Sequence, residues 1–144
     1  MMIKKLLLTA TSFVAIVFSA CAQNIDASKV PAAVKASFQK KYPGVTGKWE
    51  KEGGKYEVNF KQNANTVSLL VEPTGAITET ETDLRIADLP APALSYVKEH
   101  YRGKTIRGGT KIAKADSSVN YEVEVAGTDV IFDVSGKFLK EIKE

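Results

Sequence analysis

The sequence predicts an α+β protein made of two tandem copies of one unit. Each copy is a helix plus a four-stranded antiparallel sheet (αββββ, twice), with the helices on one sheet face. Three observations lead to this prediction: an apolar stripe with helical spacing occurs twice, segments of alternating apolar and polar residues follow each stripe, and turn residues separate those segments. With 144 residues, 44% of them hydrophobic, the chain can build a packed core.

The repeat becomes visible when the two halves of the chain are aligned. Residues 30–44 (VPAAVKASFQKKYPG) match residues 89–103 (LPAPALSYVKEHYRG) without a gap. Later matches, 56–58 with 121–123 and 71–75 with 132–136, need different offsets, so the elements persist while the loops change length. We therefore assign residues 23–83 to the first repeat and residues 84–144 to the second, within one compact domain.

Each repeat is predicted to begin with a helix, because apolar residues recur every four positions. A proline stands at the start of each stripe and suits a first helical turn, and a glycine follows each stripe as a stop signal. Pro31 and Gly44 bound the first helix, and Pro90 and Gly103 bound the second. The stripes are Val34, Phe38 and Tyr42 in the first repeat and Ala93, Val97 and Tyr101 in the second.

Strands are predicted after each helix. Alternation over residues 56–61 and 121–125 is typical of strands with one buried face. Gly53-Gly54 is a hairpin signal, with residues 116–118 in the same role in the second repeat. Turns at 73–75 and 134–136 lead into the last strands. The join from Asp83 to Asp88 is short, so we expect the repeats to share one continuous sheet or a closely packed core.

These segments resemble the PepSY-like proteins, also described as β-lactamase-inhibitor-like and typical of Bacteroidetes-type envelopes. The resemblance rests on residues 30–44, on Lys48-Trp49-Glu50 and on residues 56–60, and it extends from Val30 to the C-terminus in two copies. The second copy departs from the pattern, with Arg102 in place of a proline and Ile112 where Trp49 would fall. The resemblance implies an αββββ-type fold and an extracytoplasmic location, and it brings no catalytic residues.

Residues 1–22 are predicted to be a signal peptide. A basic start is followed by an uncharged apolar run from Leu6 to Phe18, too short for a comfortable transmembrane helix. Two cleavage alternatives stay open: a lipoprotein signal ending before a lipidated Cys21, or cleavage after Ala22 that leaves Gln23 as the first residue. The chain is thus expected to be exported, either to the periplasm or to the outer membrane as a lipid-anchored protein.

Composition and chemistry argue against several classes of function. Without Lys4 and Lys5 of the leader, 18 basic residues face 17 acidic ones, which gives no electrostatic case for nucleic acid. Membrane contact is expected only through a lipid on Cys21. His100 is the only histidine and Cys21 the only cysteine, so we expect no catalytic set, no metal site, no cofactor and no disulfide.

Five residues are candidates for binding a partner. Trp49 fits either an interface or packing against the first helix. Leu70 and Ile131 occupy equivalent positions and by parity lie on the sheet face away from the helices, where they either form a binding surface or are covered. Glu79 and Glu81, with Asp83, either bind calcium or a basic partner or form a solvated strand face.

The function predicted from the sequence is an exported, non-enzymatic binding module of the cell envelope. It would hold an unidentified envelope protein or peptide on the open sheet face. An inhibitor of a periplasmic hydrolase (a protease or a β-lactamase) and a structural envelope protein are the alternatives.

Overall fold

A computed structural model describes residues 22–143 of the chain. This part has two α-helices and nine strands, and each helix follows a short 3-10 turn. The 3-10 turns are Ala27–Lys29 and Ile86–Asp88, and the helices are α1 (Ala32–Lys41) and α2 (Ala91–His100). The strands are β1 (Gln23–Ile25), β2 (Lys48–Glu52), β3 (Lys55–Gln62), β4 (Asn65–Val71), β5 (Ile77–Leu84), β6 (Ile106–Lys114), β7 (Val119–Val125), β8 (Thr128–Phe132) and β9 (Phe138–Lys143).

All nine strands form one antiparallel sheet in which each strand pairs with its neighbour along the chain, in the order β1 to β9. The predicted α+β class is confirmed. The predicted count of eight strands is wrong, because β1 pairs with β2 and adds a ninth. Its three residues are too few to show a period-two pattern in the sequence.

The sheet is continuous across the middle of the chain, while the apolar core is divided in two. Strands β5 and β6 pair from Glu79 opposite Lys114 to Leu84 opposite Gly109, so one sheet connects the halves as expected. Buried apolar residues nevertheless form two clusters, one beneath each helix. The register places both helices on the same sheet face, because Leu69, Thr80 and Ala113 follow one another across it.

The first core is organised around Phe38 of α1. This side chain is 2% exposed, and its ring lies 5.6 Å from that of Trp49 in an edge-on arrangement and 5.2 Å from that of Phe60. Tyr42 packs on Phe60 at 4.6 Å between ring centroids. The four aromatic rings fill the space between helix and sheet, which makes α1 dependent on contacts with β2 and β3.

The second core has the same plan, but Phe132 is its one buried aromatic residue, against three in the first core. Val97 of α2 is 1% exposed and packs with Val123 and Phe132, both fully buried. Tyr96 stacks on Phe138 at 4.8 Å, which joins α2 to the last strand. No tryptophan is available here, so aliphatic side chains fill the corresponding volume.

The alignment of Ile112 with Trp49 is wrong. Trp49 pairs with Val58, and the corresponding valine of the second half, Val123, pairs with Gly109. A Cβ atom at Gly109 would lie 2.8 Å from Leu89 Cδ1, so the leucine side chain occupies the space next to Gly109. The β6–β7 hairpin is longer than the β2–β3 hairpin, and this shifted the sequence alignment by three positions.

Turns connect the strands at the predicted places. Gly53 and Gly54 both have positive φ (53° and 83°) and form the two-residue β2–β3 hairpin loop. Gly75, in the β4–β5 turn, also has positive φ (92°), and its carbonyl oxygen accepts a hydrogen bond of 2.6 Å from Ser37 Oγ of α1. The four predicted turns therefore each join two consecutive strands, and the one at Gly75 is also hydrogen-bonded to the first helix; the β3–β4 and β7–β8 turns were not predicted.

The signal peptide and the candidate lipidation residue Cys21 lie outside the described residues. Between residues 22 and 143, no helix has the length and apolar character needed to cross a membrane.

Candidate functional site on the open face of the sheet

The candidate site is the sheet face opposite the helices, which we call the open face. Its members follow from the strand register, because residues directly opposite each other in antiparallel strands point to the same side. One row across the sheet contains Glu50, Glu57, Leu70, Glu79 and Lys114. The next row contains Lys48, Asn59, Ser68, Glu81, Ile112 and Asn120.

The open face carries an excess of acidic residues. Nine of the sixteen carboxylates in residues 22–143 lie on it, against six of the eighteen basic residues. The helix side and the loops therefore hold a basic excess, although the mature chain is nearly neutral. The acidic members are Glu50, Glu52, Glu57, Glu79, Glu81, Asp83, Glu122, Glu124 and Asp129, and the basic members are Lys48, Lys55, Lys61, Lys114, Lys140 and Arg107.

A hollow of about 150 Å³, here called the acidic hollow, lies within the first half of the open face. It is lined by Glu52, Glu57, Ser68, Leu70 and Glu81, so three carboxylates surround one apolar and one hydroxyl side chain. Ser68 Oγ donates a hydrogen bond to Asn59 Oδ1 beside it. No basic residue of the described part of the chain lines the acidic hollow, so a cation would be stabilised there.

Glu81 has the most perturbed carboxyl group of the site. Burial, followed by the negative charges of Glu57 and Glu79 and more weakly of Asp83 and Glu52, raises its pKa to about 7. Burial likewise raises the pKa of Glu57, partly offset by hydrogen bonds from Asn59 and Ser68. Both shifts show that the carboxylates crowd one another in a partly desolvated space.

A second hollow, of about 220 Å³, lies on the second half of the open face and is here called the isoleucine hollow. Ile112, Ile131 and Ile142 contribute its apolar lining: Ile142 is 47% exposed, whereas Ile112 and Ile131 form the floor and are only 7% and 4% exposed. Its charged lining is mixed: three residues are acidic (Glu79, Glu81 and Glu122) and two are basic (Lys114 and Lys140). The chemistry of this hollow therefore suits an apolar side chain rather than an ion.

Glu81 lines both hollows. It stands on β5, the last strand of the first half, and pairs with Ile112 on β6, the first strand of the second half. The two hollows thus meet at the junction of the halves, and neither half contains the whole site.

The structure brings together most, but not all, of the residues predicted to bind a partner. Leu70, Glu79 and Glu81 lie side by side on the open face, half-buried. Trp49 lies on the helix side and is 7% exposed, which matches the core-packing alternative and leaves it outside the site. Ile131 is on the open face as expected but is only 4% exposed; its cross-strand neighbours on that face are the long side chains of Glu122 and Lys140.

Sequence reasoning missed Glu57, Ile112 and Ile142 as members of the site. Glu57 was seen as the polar half of an alternating strand, and that alternation already assigned it to the face of Leu70. Ile112 was misplaced by the alignment with Trp49. Ile142 is 47% exposed near the end of the last strand. The one feature of the sequence that could have marked it is that a large apolar residue stands within a charged segment.

The remaining chemistry of the described chain offers no competing site. His100 is exposed, its Nδ1 lies 2.9 Å from the carbonyl oxygen of Tyr96, and its ring stacks on the Tyr96 ring at 3.8 Å. No group of three or more His, Cys, Asp or Glu side chains within residues 22–143 has an arrangement able to hold a metal ion. The carboxylates of the open face are therefore best considered as a charged surface.

Comparison with known proteins agrees with this architecture. The family model described as "Putative beta-lactamase-inhibitor-like, PepSY-like" matches residues 18–78 and again residues 55–140. Together these matches span most of the chain, and the protein belongs to this PepSY-like family. A search of curated proteins found no match.

Solved structures from Bacteroides species share the fold. A protein of Bacteroides eggerthii, described among "putative periplasmic proteins", has 16% identity and a TM-score of 0.71 over 78% of this chain and 88% of that chain. A DUF2874 family protein of Bacteroides ovatus has 21% identity and a TM-score of 0.69 over 78% and 86%. A BLIP-like protein of Bacteroides fragilis has 24% identity and a TM-score of 0.61 over 78% and 85%.

Proposed function

We propose that the protein is an exported, non-enzymatic binding module of the cell envelope that holds a protein or peptide on the open face. The single observation behind this proposal is the open face itself: no helix within residues 22–143 covers it, it carries nine of the sixteen carboxylates of those residues, and it contains two adjoining hollows. A sheet face left uncovered by helices and rich in half-buried side chains offers the area that a partner needs.

Like charges placed next to each other on the open face support the same proposal, because they lower the local stability of the sheet. Glu50 and Glu57 stand directly opposite each other on neighbouring strands, where like charges destabilise a sheet. Glu57 and Glu79 flank Leu70 and add to the repulsion around Glu81. Natural proteins depart from local stability rules mainly at functional sites, so this arrangement favours a binding role over a structural one.

Export and duplication are part of the proposal. The signal-peptide pattern of residues 1–22 and the periplasmic description of the B. eggerthii protein support a location in the periplasm, or at the outer membrane if Cys21 carries a lipid. The order α1–β2–β3–β4–β5 followed by α2–β6–β7–β8–β9 supports the origin of the chain as two αββββ units. A mass spectrum of the mature N-terminus tests the lipid, since an unmodified Gln23 start excludes it.

Site-specific photocrosslinking in cells tests the binding role. A benzoylphenylalanine at Lys114, exposed at the edge of the isoleucine hollow, should give a discrete crosslinked partner band. The same group at Lys98, exposed on α2 on the opposite side, is the matched control and should give none. Equal crosslinking at both positions, or none at either, contradicts the proposal.

Inhibition of a periplasmic hydrolase is a narrower form of the same proposal, supported by the description of the family as β-lactamase-inhibitor-like. It predicts dose-dependent loss of activity when the purified protein is added to a susceptible protease or β-lactamase. Flat dose curves across a panel of such enzymes would remove inhibition and leave binding without inhibition.

A further inference from the structure

Building on the proposed function, we propose that the partner presents an extended, cationic segment to the open face. In this segment a lysine or arginine enters the acidic hollow, and a large apolar side chain about four residues away enters the isoleucine hollow. The charge, the lining and the separation of the two hollows each support one part of this assignment.

The negative charge of the acidic hollow favours a partner segment with positive charge. Glu52, Glu57 and Glu81 line the acidic hollow, and the ion pairs Arg85–Asp88 and Arg107–Glu124 lie outside it. A cation brought among these carboxylates is attracted by all three and relieves their mutual repulsion. An anionic segment would be repelled by Glu52, by Glu57 and by the ionised fraction of Glu81, and would therefore bind more weakly.

The lining of the acidic hollow matches the two-part character of a basic side chain. Leu70 offers an apolar surface for the methylene stem of a lysine or arginine, while the surrounding carboxylates and Ser68 receive its charged end. The raised pKa of Glu81 agrees with this, because a nearby positive charge would lower that pKa again.

The separation of the hollows sets the spacing in the partner. The acidic hollow centres on β4 and the isoleucine hollow on β7, which is three strand spacings or about 14 Å. Four residues of extended chain span about 13 Å at roughly 3.3 Å per residue, and residues i and i+4 of such a segment point the same way. A basic and an apolar side chain at this spacing can thus enter both hollows together.

Titration with short peptides, followed by NMR of the amide signals of the protein, tests this inference. The probe is a nine-residue serine/threonine peptide with lysine at position 3 and leucine at position 7, and its matched control has glutamate in place of lysine. We expect the lysine probe to move the signals of Ser68, Leu70 and Ile112 and to bind at least tenfold more tightly than the glutamate probe. The same preference should weaken several-fold in 0.5 M salt, as expected for charge attraction.

Protein variants separate the site from general charge. Glu81→Gln should weaken the lysine probe fivefold or more, whereas Glu99→Gln, the same change on the exposed side of α2, should leave its affinity unchanged. Equal binding of both probes, signal changes confined to the helix side, or equal effects of the two variants would overturn the inference. If photocrosslinking at Lys114 nevertheless identifies a partner, the binding function stands and only the cationic segment is wrong.

Discussion

Gly75 lies where the β4–β5 turn contacts helix α1. Both its backbone conformation and the space around it require a residue without a side chain. Its φ of +92° is a conformation that L-residues rarely adopt, and an added Cβ atom would lie 2.8 Å from both Ala33 O and Ser37 Oγ. Gly53 in the β2–β3 turn has a similar φ of +53°, but an added Cβ would meet nothing within 4 Å. An alanine at Gly53 would thus add backbone strain alone, whereas an alanine at Gly75 would add backbone strain and a steric clash.

We therefore expect Gly75→Ala to lower the free energy of unfolding by about 2–3 kcal/mol and Gly53→Ala by only about 1 kcal/mol. Urea denaturation followed by circular dichroism measures both. Equal losses for the two variants would show that the contact of the turn with α1 contributes nothing beyond the backbone conformation.

Glu81 gives the protein an unusual dependence on pH. Its pKa is about 7 in the folded chain against an ordinary value of 4.5, so the folded state holds the proton more tightly than the unfolded state between these values. The contribution of Glu81 to the free energy of unfolding is therefore most favourable below pH 4.5. It should decrease between pH 4.5 and pH 7 and level off above pH 7. After allowance for solvent screening, the contribution is about 1–2 kcal/mol.

Urea unfolding at pH 5 and pH 8 checks this expectation. The wild-type protein should lose stability between these pH values, and Glu81→Gln should remove a large part of the loss; Glu57, whose pKa is also raised by burial, contributes in the same direction. The side chains of Asp26, Asp88, Asp116 and Asp133 have lowered pKa values and titrate below this window, so they do not obscure it. An equal pH dependence in the variant would show that Glu81 titrates normally.

Individual residues were the hardest feature to predict from the sequence. Strand parity correctly assigned Leu70 and Ile131 to the open face, yet burial of Ile131 depends on flanking strands whose register the sequence does not reveal. The crowding around Glu81 has the same origin, since Glu57 is 24 residues away and becomes a neighbour only through β4. Trp49 was ambiguous for a different reason, because a tryptophan suits a core and an interface equally.

Helix α1 depends on its packing against the sheet. Neither Pro31 nor any side chain caps its first turn, and its ten residues are too short for stability in isolation. Phe38, which contacts Tyr42, Trp49 and Phe60, supplies the central contact. The stability of this element is thus concentrated in one aromatic side chain.

Phe38→Ala should accordingly cost about 3–5 kcal/mol, since it removes a fully buried ring and leaves a cavity among three others. Lys40→Ala, on the exposed side of the same helix, should change stability by less than about 0.5 kcal/mol. Thermal melting followed by circular dichroism compares the two variants. Similar melting temperatures would mean that the aromatic cluster is not the main support of α1.

The elements with strong local signals were predicted well. Both helices fall between the expected proline and glycine, and the Gly53-Gly54 hairpin forms as expected because two consecutive positive φ angles suit glycine. The features that were missed lack a recognisable pattern in the local sequence. Strand β1 has three residues, and the correct partner of Val123 is Gly109, a residue with no side chain to reveal its place in the core.

At the scale of the whole molecule, one sheet connects two separate cores. The ladder between β5 and β6 covers six residue pairs, from Glu79–Lys114 to Leu84–Gly109. A unit of about 60 residues buries a smaller fraction of its surface than a larger domain and is only marginally stable alone. We therefore expect the halves to unfold together, although no apolar cluster is common to both.

Trp49 provides a direct measure of this coupling, because it is the only tryptophan and reports on the first core alone. Phe132→Ala removes a fully buried ring from the second core and should cost about 3–5 kcal/mol. If the halves are coupled, the denaturant midpoint seen by Trp49 fluorescence shifts by the same amount as that seen by circular dichroism. A fluorescence midpoint that stays at the wild-type value would show that the halves unfold independently.

The strand order β1 to β9, identical to the order along the chain, has a consequence for how the protein is made. Six of the eight pairings are hairpins with short turns, and the pairings β1–β2 and β5–β6 each close a loop that contains one helix, so the entropic cost of each step stays small. The buried residues of the first core all lie between Val30 and Val71. The first core can therefore begin to assemble before the second half of the chain has emerged, and strands β6 to β9 then stabilise it by extending the sheet from the edge of β5.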